Sequence, residues 1–343
     1  MPFSIGKAFS KIRLWLSTAL GVLLLVLAFR GVQLPELLGG LAQANYGFII
    51  LALGTVIMTT LAKAVRWRLL FYPHHHGLRY NKLFSVLLIG QMINITLPGR
   101  LGELARAYFL GEIEKRSKAS ILGTIILEKL LDMFMLLVLL IAFLPFIIPL
   151  KWLREPGTAV ATATIAFLFV TLILAYQRDR AAIALRRLLR LLPKPLQVRT
   201  SQQLELALSN LEILRHGNVI LQVSGWSVLI WLLAALTNYL AFLALGLRLS
   251  FLAAVFLLMV LHIGIAVPSS PGKVGVFHYL CILALSVFSV ERSMALSYGV
   301  VLHVIVFLPL SLLGAFSLWW ENLSLRKLEQ ARLEVRMSSE GSP

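Results

Sequence analysis

The chain has 343 residues, of which 59% are hydrophobic and only 14% charged, and its mean hydropathy is +0.87. A soluble domain carries about 25% charged residues, so a water-soluble enzyme, a disordered chain and a coiled coil are excluded and a polytopic, all-α membrane protein is indicated. Thirty-two Lys and Arg against 15 Asp and Glu leave a net charge of +17; the basic residues fall between apolar runs with no nucleic-acid-binding module beside them, which points to anionic lipid headgroups and not to nucleic acid.

A helix needs about 20 apolar residues to cross a bilayer core. Charge-free runs occur at 14–29, 47–62, 133–150, 157–177, 216–247, 249–272, 274–290 and 293–320. Lys7, Lys11 and Arg13 precede the first run as in a signal peptide, but no small-x-small cleavage site follows, so an uncleaved span is expected. The runs 249–272 and 274–290 are parted only by Lys273, too little for a polar loop, and a similar short segment at 83–97 ends in Pro98-Gly99-Arg100. If both Pro-Gly segments are re-entrant and the N-terminus is cytoplasmic, 25 Lys and Arg fall inside and five outside (Arg30, Lys151, Arg154, Arg248, Arg292), with Lys129 and Lys273 inside membrane segments. That split satisfies the positive-inside rule. It predicts about six full spans plus two re-entrant helical hairpins, with both termini cytoplasmic. Tryptophans 15, 67, 152, 319 and 320 lie at run ends, as interfacial anchors should.

The expected organisation is a single transmembrane domain over 1–322. It holds a first repeat at about 46–150, a cytoplasmic linker at 178–215 and a second repeat at about 218–320, and a polar cytoplasmic tail follows at 323–343. In the linker, Arg186, Arg187 and Arg190 share one helical face and Leu185, Leu188, Leu189 and Leu192 the other, an interfacial amphipathic pattern stopped by Pro193 and Pro195.

The two hairpin segments match each other. Pro98-Gly99-Arg100-Leu101-Gly102 aligns with Pro271-Gly272-Lys273-Val274-Gly275, and the flanks match as span, hairpin, span. One hairpin enters from each side, so the pair reads as an inverted repeat, the architecture of many transporters. Broken backbone survives in a membrane only where it lines protein or water. Proline sets the break, glycine lets the backbone approach a ligand, and the half-helix that follows offers free N–H groups beside a basic side chain. Both prolines should lie within the membrane slab. Two such ends facing each other would hold a phosphate headgroup; a packing kink with a snorkelling base is the alternative.

Other charges join this pattern. Glu103 and Arg106 are three apart on the first half-helix and can pair. Glu128 and Asp132 are four apart on one face of the next span, with Lys129 adjacent. Acids in a membrane need a basic partner or a cavity, so Arg106 is expected within contact of Glu103, Glu128 or Asp132. The acids could also bind an amine headgroup or carry protons, or the group could be a structural salt-bridge cluster. Asn94 and Asn238 are candidates to cap or bridge broken helices. His262, His278 and His303 lie in apolar segments, where a lone imidazole is commonly a satisfied interhelical donor. His74-His75-His76 lacks flanking ligands, and Cys281 is the only cysteine, so no metal site and no cofactor are expected. Neither an ATP-binding loop nor a nucleophile elbow is present.

The stretches 94–106, 126–132 and 268–277, with His303 in the last span, resemble the transmembrane region of lysylphosphatidylglycerol synthases and the related flippase-like membrane proteins without the synthase domain. The resemblance covers most of 10–320. It implies translocation of lipid between leaflets. The lipid would be an anionic phospholipid or a polyprenyl or aminoacyl lipid, in the bacterial plasma (inner) membrane. Only about 23 residues follow Trp320, so lysyl-lipid synthesis is not expected. The substrate-binding residues would be Asn94, Pro98, Gly99, Arg100, Gly102, Glu103, Arg106, Glu128, Lys129, Asp132, Pro271, Gly272, Lys273, Gly275 and His303. A membrane-embedded glycosyl- or headgroup-transferase using a lipid-phosphate donor is the other reading; Glu103, Glu128 and Asp132 would then hold a metal or act as base, but no DxD-type pair lies in a loop.

Overall fold

The computed structural model describes residues 22–30, 42–73, 77–97, 101–143, 151–176, 216–264 and 271–323, with the single residues 35, 39 and 75. Every regular element among the described residues is helical. After a helical stretch at 22–29 come α1 (Tyr46–Leu69), α2 (Tyr80–Thr96), α3 (Leu101–Glu114), α4 (Lys118–Ala142), α5 (Lys151–Tyr176), α6 (Gly217–Ala244), α7 (Phe251–Gly264), a 3₁₀ turn (Pro271–Lys273), α8 (Val276–Ser286) and α9 (Arg292–Trp320). Three of them, α1, α6 and α9, are long and apolar enough to cross a membrane. The amphipathic linker, the N-terminal basic segment, the 98–100 tip and the C-terminal tail beyond 323 lie outside the described residues.

Local chemistry sets several helix ends. Asn45 Oδ1 accepts the Gly47 N–H at the start of α1, Ser117 Oγ accepts the Ser120 N–H at the start of α4, and the Glu291 carboxylate accepts the Ser293 and Met294 N–H groups at the start of α9. α2 stops at Leu97, whose backbone is extended as a residue before proline must be.

The long helices fix two ends of the bundle. At one end the Tyr72 ring meets His216, the Arg116 guanidinium lies 6.0 Å from the Phe71 ring, and Lys82 Nζ is 2.6 Å from Glu321 Oε2. At the other end the Asn45 N–H donates to the Ala244 carbonyl and Arg292 donates to the Leu27 carbonyl. The α2–α3 pair therefore opens and closes at the first end, and the α7–α8 pair at the second. Arg68, Arg79, Lys82 and Arg116 lie at the first end, and Arg30, Arg248 and Arg292 at the second.

The inter-helix packing follows the same division. α1 lies along α6, α2 along α9 and α3, and α8 along α7 and α9. Two of these crossings need glycine. A Cβ on Gly102 would overlap the Gly90 carbonyl oxygen, and one on Gly314 would sit 2.5 Å from Met92 Cβ and 2.6 Å from the Leu88 carbonyl oxygen. Large apolar side chains such as Ile50, Leu221, Leu252 and Leu312 stand exposed on the outer faces. In water that would be costly; against lipid tails it is the expected surface.

Candidate functional site: a buried ion-pair cluster joining four helices

α1 carries its apolar run straight into charge. The sequence Ala62-Lys63-Ala64-Val65-Arg66-Trp67 holds no breaker, so the helix continues to Leu69 instead of ending in a loop after Ala62. Lys63 and Arg66 are thus not loop charges, as the charge count assumed, but helical residues inside the bundle. Arg66 is fully buried. Its Nη1 donates to Asp132 Oδ1 at 2.8 Å and to Ser227 Oγ at 3.1 Å, and its Nη2 lies 3.6 Å from Glu128 Oε1. Arg106 of α3 donates from Nη2 to Glu128 Oε2 at 2.6 Å. Glu128 therefore sits between two guanidinium groups.

Placing charges in a low-dielectric interior costs several kcal/mol per ion unless each is paired and hydrogen-bonded. The cluster meets that demand by drawing on four helices: α1 (Arg66), α3 (Arg106), α4 (Glu128, Asp132) and α6 (Ser227). Lys63 lies within electrostatic range of Asp132 and Glu128. Trp67 forms one wall. It is fully buried, its ring lies 4.1 Å from the Arg106 guanidinium, and its Nε1 donates to Thr124 Oγ1 at 3.0 Å. Trp67 is therefore not the interfacial anchor its place at a run end suggested: it packs inward because the helix does not end there. Trp319 and Trp320 are exposed at the end of α9 as anticipated.

Arg106 reaches an acid, as expected, but not by the expected route. Glu103 and Arg106 do not pair with each other. Arg106 crosses to Glu128, and Glu103 crosses to Lys129 with 3.3 Å between them. An i, i+3 contact along α3 gives way to two interhelical ones because α4 offers both partners at the same depth.

Asn94, on α2, accepts the Gly102 N–H through Oδ1 at 2.7 Å and so caps the start of α3. Asn238 Nδ2 donates to the Ala254 carbonyl and bridges α6 to α7. Pro98, Gly99 and Arg100 lie outside the described residues. In the second motif, Pro271–Lys273 forms one 3₁₀ turn packed against α2. Gly272, Lys273 and Gly275 have φ of 70°, 57° and 88°, the left-handed region that Gly adopts readily and Lys rarely. Lys273 Nζ is 5.5 Å from the Phe307 ring centroid, and His303 stacks on Phe307 at 4.2 Å.

Side chains of α6 and α7 extend from the cluster. Ser227, which holds Arg66, and Trp231 are four apart on α6. Trp231 packs on His262 of α7 with 4.6 Å between ring centroids. His262 in turn is within electrostatic range of Lys63, Asp132 and Lys273.

Two features define what the cluster can do. Arg66, Arg106 and Lys129 are paired with Glu103, Glu128 and Asp132, three bases on three acids. Moreover, Arg66 Nε and Nη2 and Arg106 Nε are buried and make no hydrogen bond. The three carboxylates are each committed to a base, and no group of three His, Cys, Asp or Glu that could hold a metal occurs among the described residues.

Apolar spanning helices around a charged interior define an integral membrane protein. The chain belongs to the family described as the lysylphosphatidylglycerol synthase TM region, which matches residues 14–314. Among its relatives are UPF0104 membrane proteins of three archaea. That of Methanothermobacter thermautotrophicus is 29% identical over 283 residues, 78% of this chain and 80% of the relative. That of Pyrococcus horikoshii is 24% identical over 318 residues, 88% of this chain and 95% of the relative. One from Methanocaldococcus jannaschii is 26% identical over 233 residues, 65% of this chain and 91% of the relative. These relatives share a membrane setting and are archaeal, so they do not bear on the expected bacterial inner membrane. No solved structure matches the chain.

Proposed function

We propose that this protein is a lipid translocase: it moves an anionic lipid between leaflets, holding the headgroup against the buried arginines while the tails stay in the bilayer. The observation that carries this reading is the pair of buried Nε–H groups on Arg66 and Arg106 that make no hydrogen bond. An unpartnered buried donor costs about 1–3 kcal/mol and more on a charged group, and phosphate oxygens match a guanidinium fork.

In this reading the α2–α3 and α7–α8 pairs are re-entrant hairpins of an inverted repeat. Their opening at opposite ends of the bundle supports it, as does the matched Pro-Gly-basic-Gly motif. The basic residues at the first end support a cytoplasmic side for that end, and with it for both termini. Rocking of one repeat against the other would uncover the arginines alternately to each leaflet. Pairing of Glu103, Glu128 and Asp132 with bases favours transport over a transferase, which would need those carboxylates free.

The test is movement of fluorescent phosphatidylglycerol in proteoliposomes, read by quenching of the outer leaflet. Wild-type protein should accelerate it over protein-free vesicles. Arg66→Lys keeps the charge but removes the spare donors, and should slow movement at least about tenfold, the worth of one charge-assisted hydrogen bond. Lys273→Ala should slow it also. No acceleration by the wild type, or wild-type rates in both variants, rejects the proposal.

A further inference from the structure

Four side chains beside the Pro-Gly-Lys turn stand apart from the ion pairs. His278, in the first turn of α8, is nine-tenths buried and stacks on His303 of α9, with centroids 5.0 Å apart and planes within 15°. His303 stacks on Phe307, which lies under Lys273 Nζ, and Phe277 stands edge-on to both His303 and Phe307 at 5.4 Å. Nδ1 of His278 and Nδ1 of His303 are both buried and make no hydrogen bond. Packing alone would be served as well by two phenyl rings, without two unpartnered polar atoms.

Two stacked imidazoles beside an ammonium group can be neutral together, but protonating His303 adds a like charge to the surroundings of Lys273, and protonating both rings sets two charges 5.0 Å apart, in a medium that screens poorly. An anion in contact with them reverses that balance. We infer that His278 and His303 are headgroup-contacting residues that gain a proton when an anionic phosphodiester binds beside Lys273, so that lipid binding is coupled to proton uptake. The inference rests on the lipid-translocase reading and adds to it the ligand's charge class and a coupling ion. The balance is simple. A proton from bulk water adds to a ring nitrogen lone pair, the imidazolium and Lys273 face the phosphodiester anion, and the proton returns to water when the lipid leaves.

The neighbouring elements offer few competitors for that proton. Among the described residues, the groups in electrostatic range of His303 are His278 and Lys273. α7 contributes His262, whose own range takes in Lys63, Asp132 and Lys273. α8 contributes Tyr279 and the fully buried Cys281, and α9 contributes the fully buried Tyr298 and, at its start, Arg292, which donates to the Leu27 carbonyl; α2, which packs on the turn, has Lys82 as its one charged residue, at the far end beside Glu321.

The experiment uses the full-length protein in phosphatidylcholine nanodiscs, titrated with dihexanoyl-phosphatidylglycerol by calorimetry near pH 7, where imidazoles exchange protons readily. Repeating the titration in buffers of different ionisation enthalpy gives the protons taken up per lipid bound. Wild type should take up between about half and one proton. His278→Phe with His303→Phe should keep the stack but abolish the uptake and weaken binding roughly tenfold. His303→Gln, with thermal unfolding measured alongside, serves if the double variant does not fold: it should bind with uptake reduced by at least about half. Binding by the wild type without proton uptake, or unchanged uptake in the folded variants, overturns the inference and leaves the translocase reading standing. Failure of folded wild type to bind the lipid overturns that reading itself.

Discussion

Removing the Arg66 guanidinium tests whether the ion-pair cluster is a unit. Breaking a buried pair by deleting one partner costs about 3–5 kcal/mol, because it leaves an uncompensated charge. In Arg66→Ala, Glu128 keeps Arg106 at 2.6 Å and Ser227 keeps its own bond to the Val223 carbonyl, so neither is orphaned. Asp132 loses its 2.8 Å partner, but its side chain is 29% exposed, which softens the penalty. The low end therefore applies, about 3 kcal/mol, or roughly a hundredfold in the folding equilibrium. Arg66→Met combined with Asp132→Leu removes the whole pair and should fall within about 1 kcal/mol of wild type, since apolar replacement of a complete buried pair is often neutral. The measurement is reversible unfolding in mixed micelles for Arg66→Ala, and for Arg66→Met, Asp132→Leu and their double, the last three closed with wild type as a cycle. If Arg66→Ala unfolds within about 1 kcal/mol of wild type, or the cycle shows a coupling no larger than a surface pair's, the cluster is not a buried unit.

Three further outcomes follow from the geometry. Gly102→Ala should yield little folded protein, because its Cβ would overlap the Gly90 carbonyl oxygen, whereas Gly54→Ala, with open space around it, should be neutral or slightly stabilising by up to about 1 kcal/mol; detergent-extracted yield and thermal midpoint separate the two. Asn94→Ala removes the acceptor for the Gly102 N–H and should cost about 1 kcal/mol, with much of that recovered in Asn94→Asp, read by the same unfolding assay. The backbone N–H groups of Ser293, and then Met294, hold the Glu291 carboxyl below its ordinary range. A depressed carboxyl adds stability above its unfolded value and loses it as pH falls through the folded one. The stability gap between wild type and Glu291→Gln should therefore be full at neutral pH and close on acidification, as thermal midpoints over a pH series would record.

A membrane protein with charged residues clustered in two short segments is legible in the residues alone. Composition sets the solvent, because 14% charge cannot coat a water-facing surface. The Pro-Gly pairs mark where helices must break, and the acids at 128 and 132 announce that bases must be near, since neither statement needs to know which helix packs on which. That Arg106 would reach one of those acids followed from cost alone. Its choice of Glu128 did not, nor did the pairing of Glu103 with Lys129. Arg66 was the larger omission. It stands 66 positions from Asp132 and 161 from Ser227, and a charge at the end of an apolar run reads locally as the start of a loop. The one local signal was negative, the lack of any glycine or proline between Gly54 and Pro73 to stop the helix. Trp67 was misplaced for the same reason. Composition and periodicity report what each residue needs from its surroundings; which residue meets that need is decided by the docking of α1, α3, α4 and α6, and that is a property of the tertiary fold.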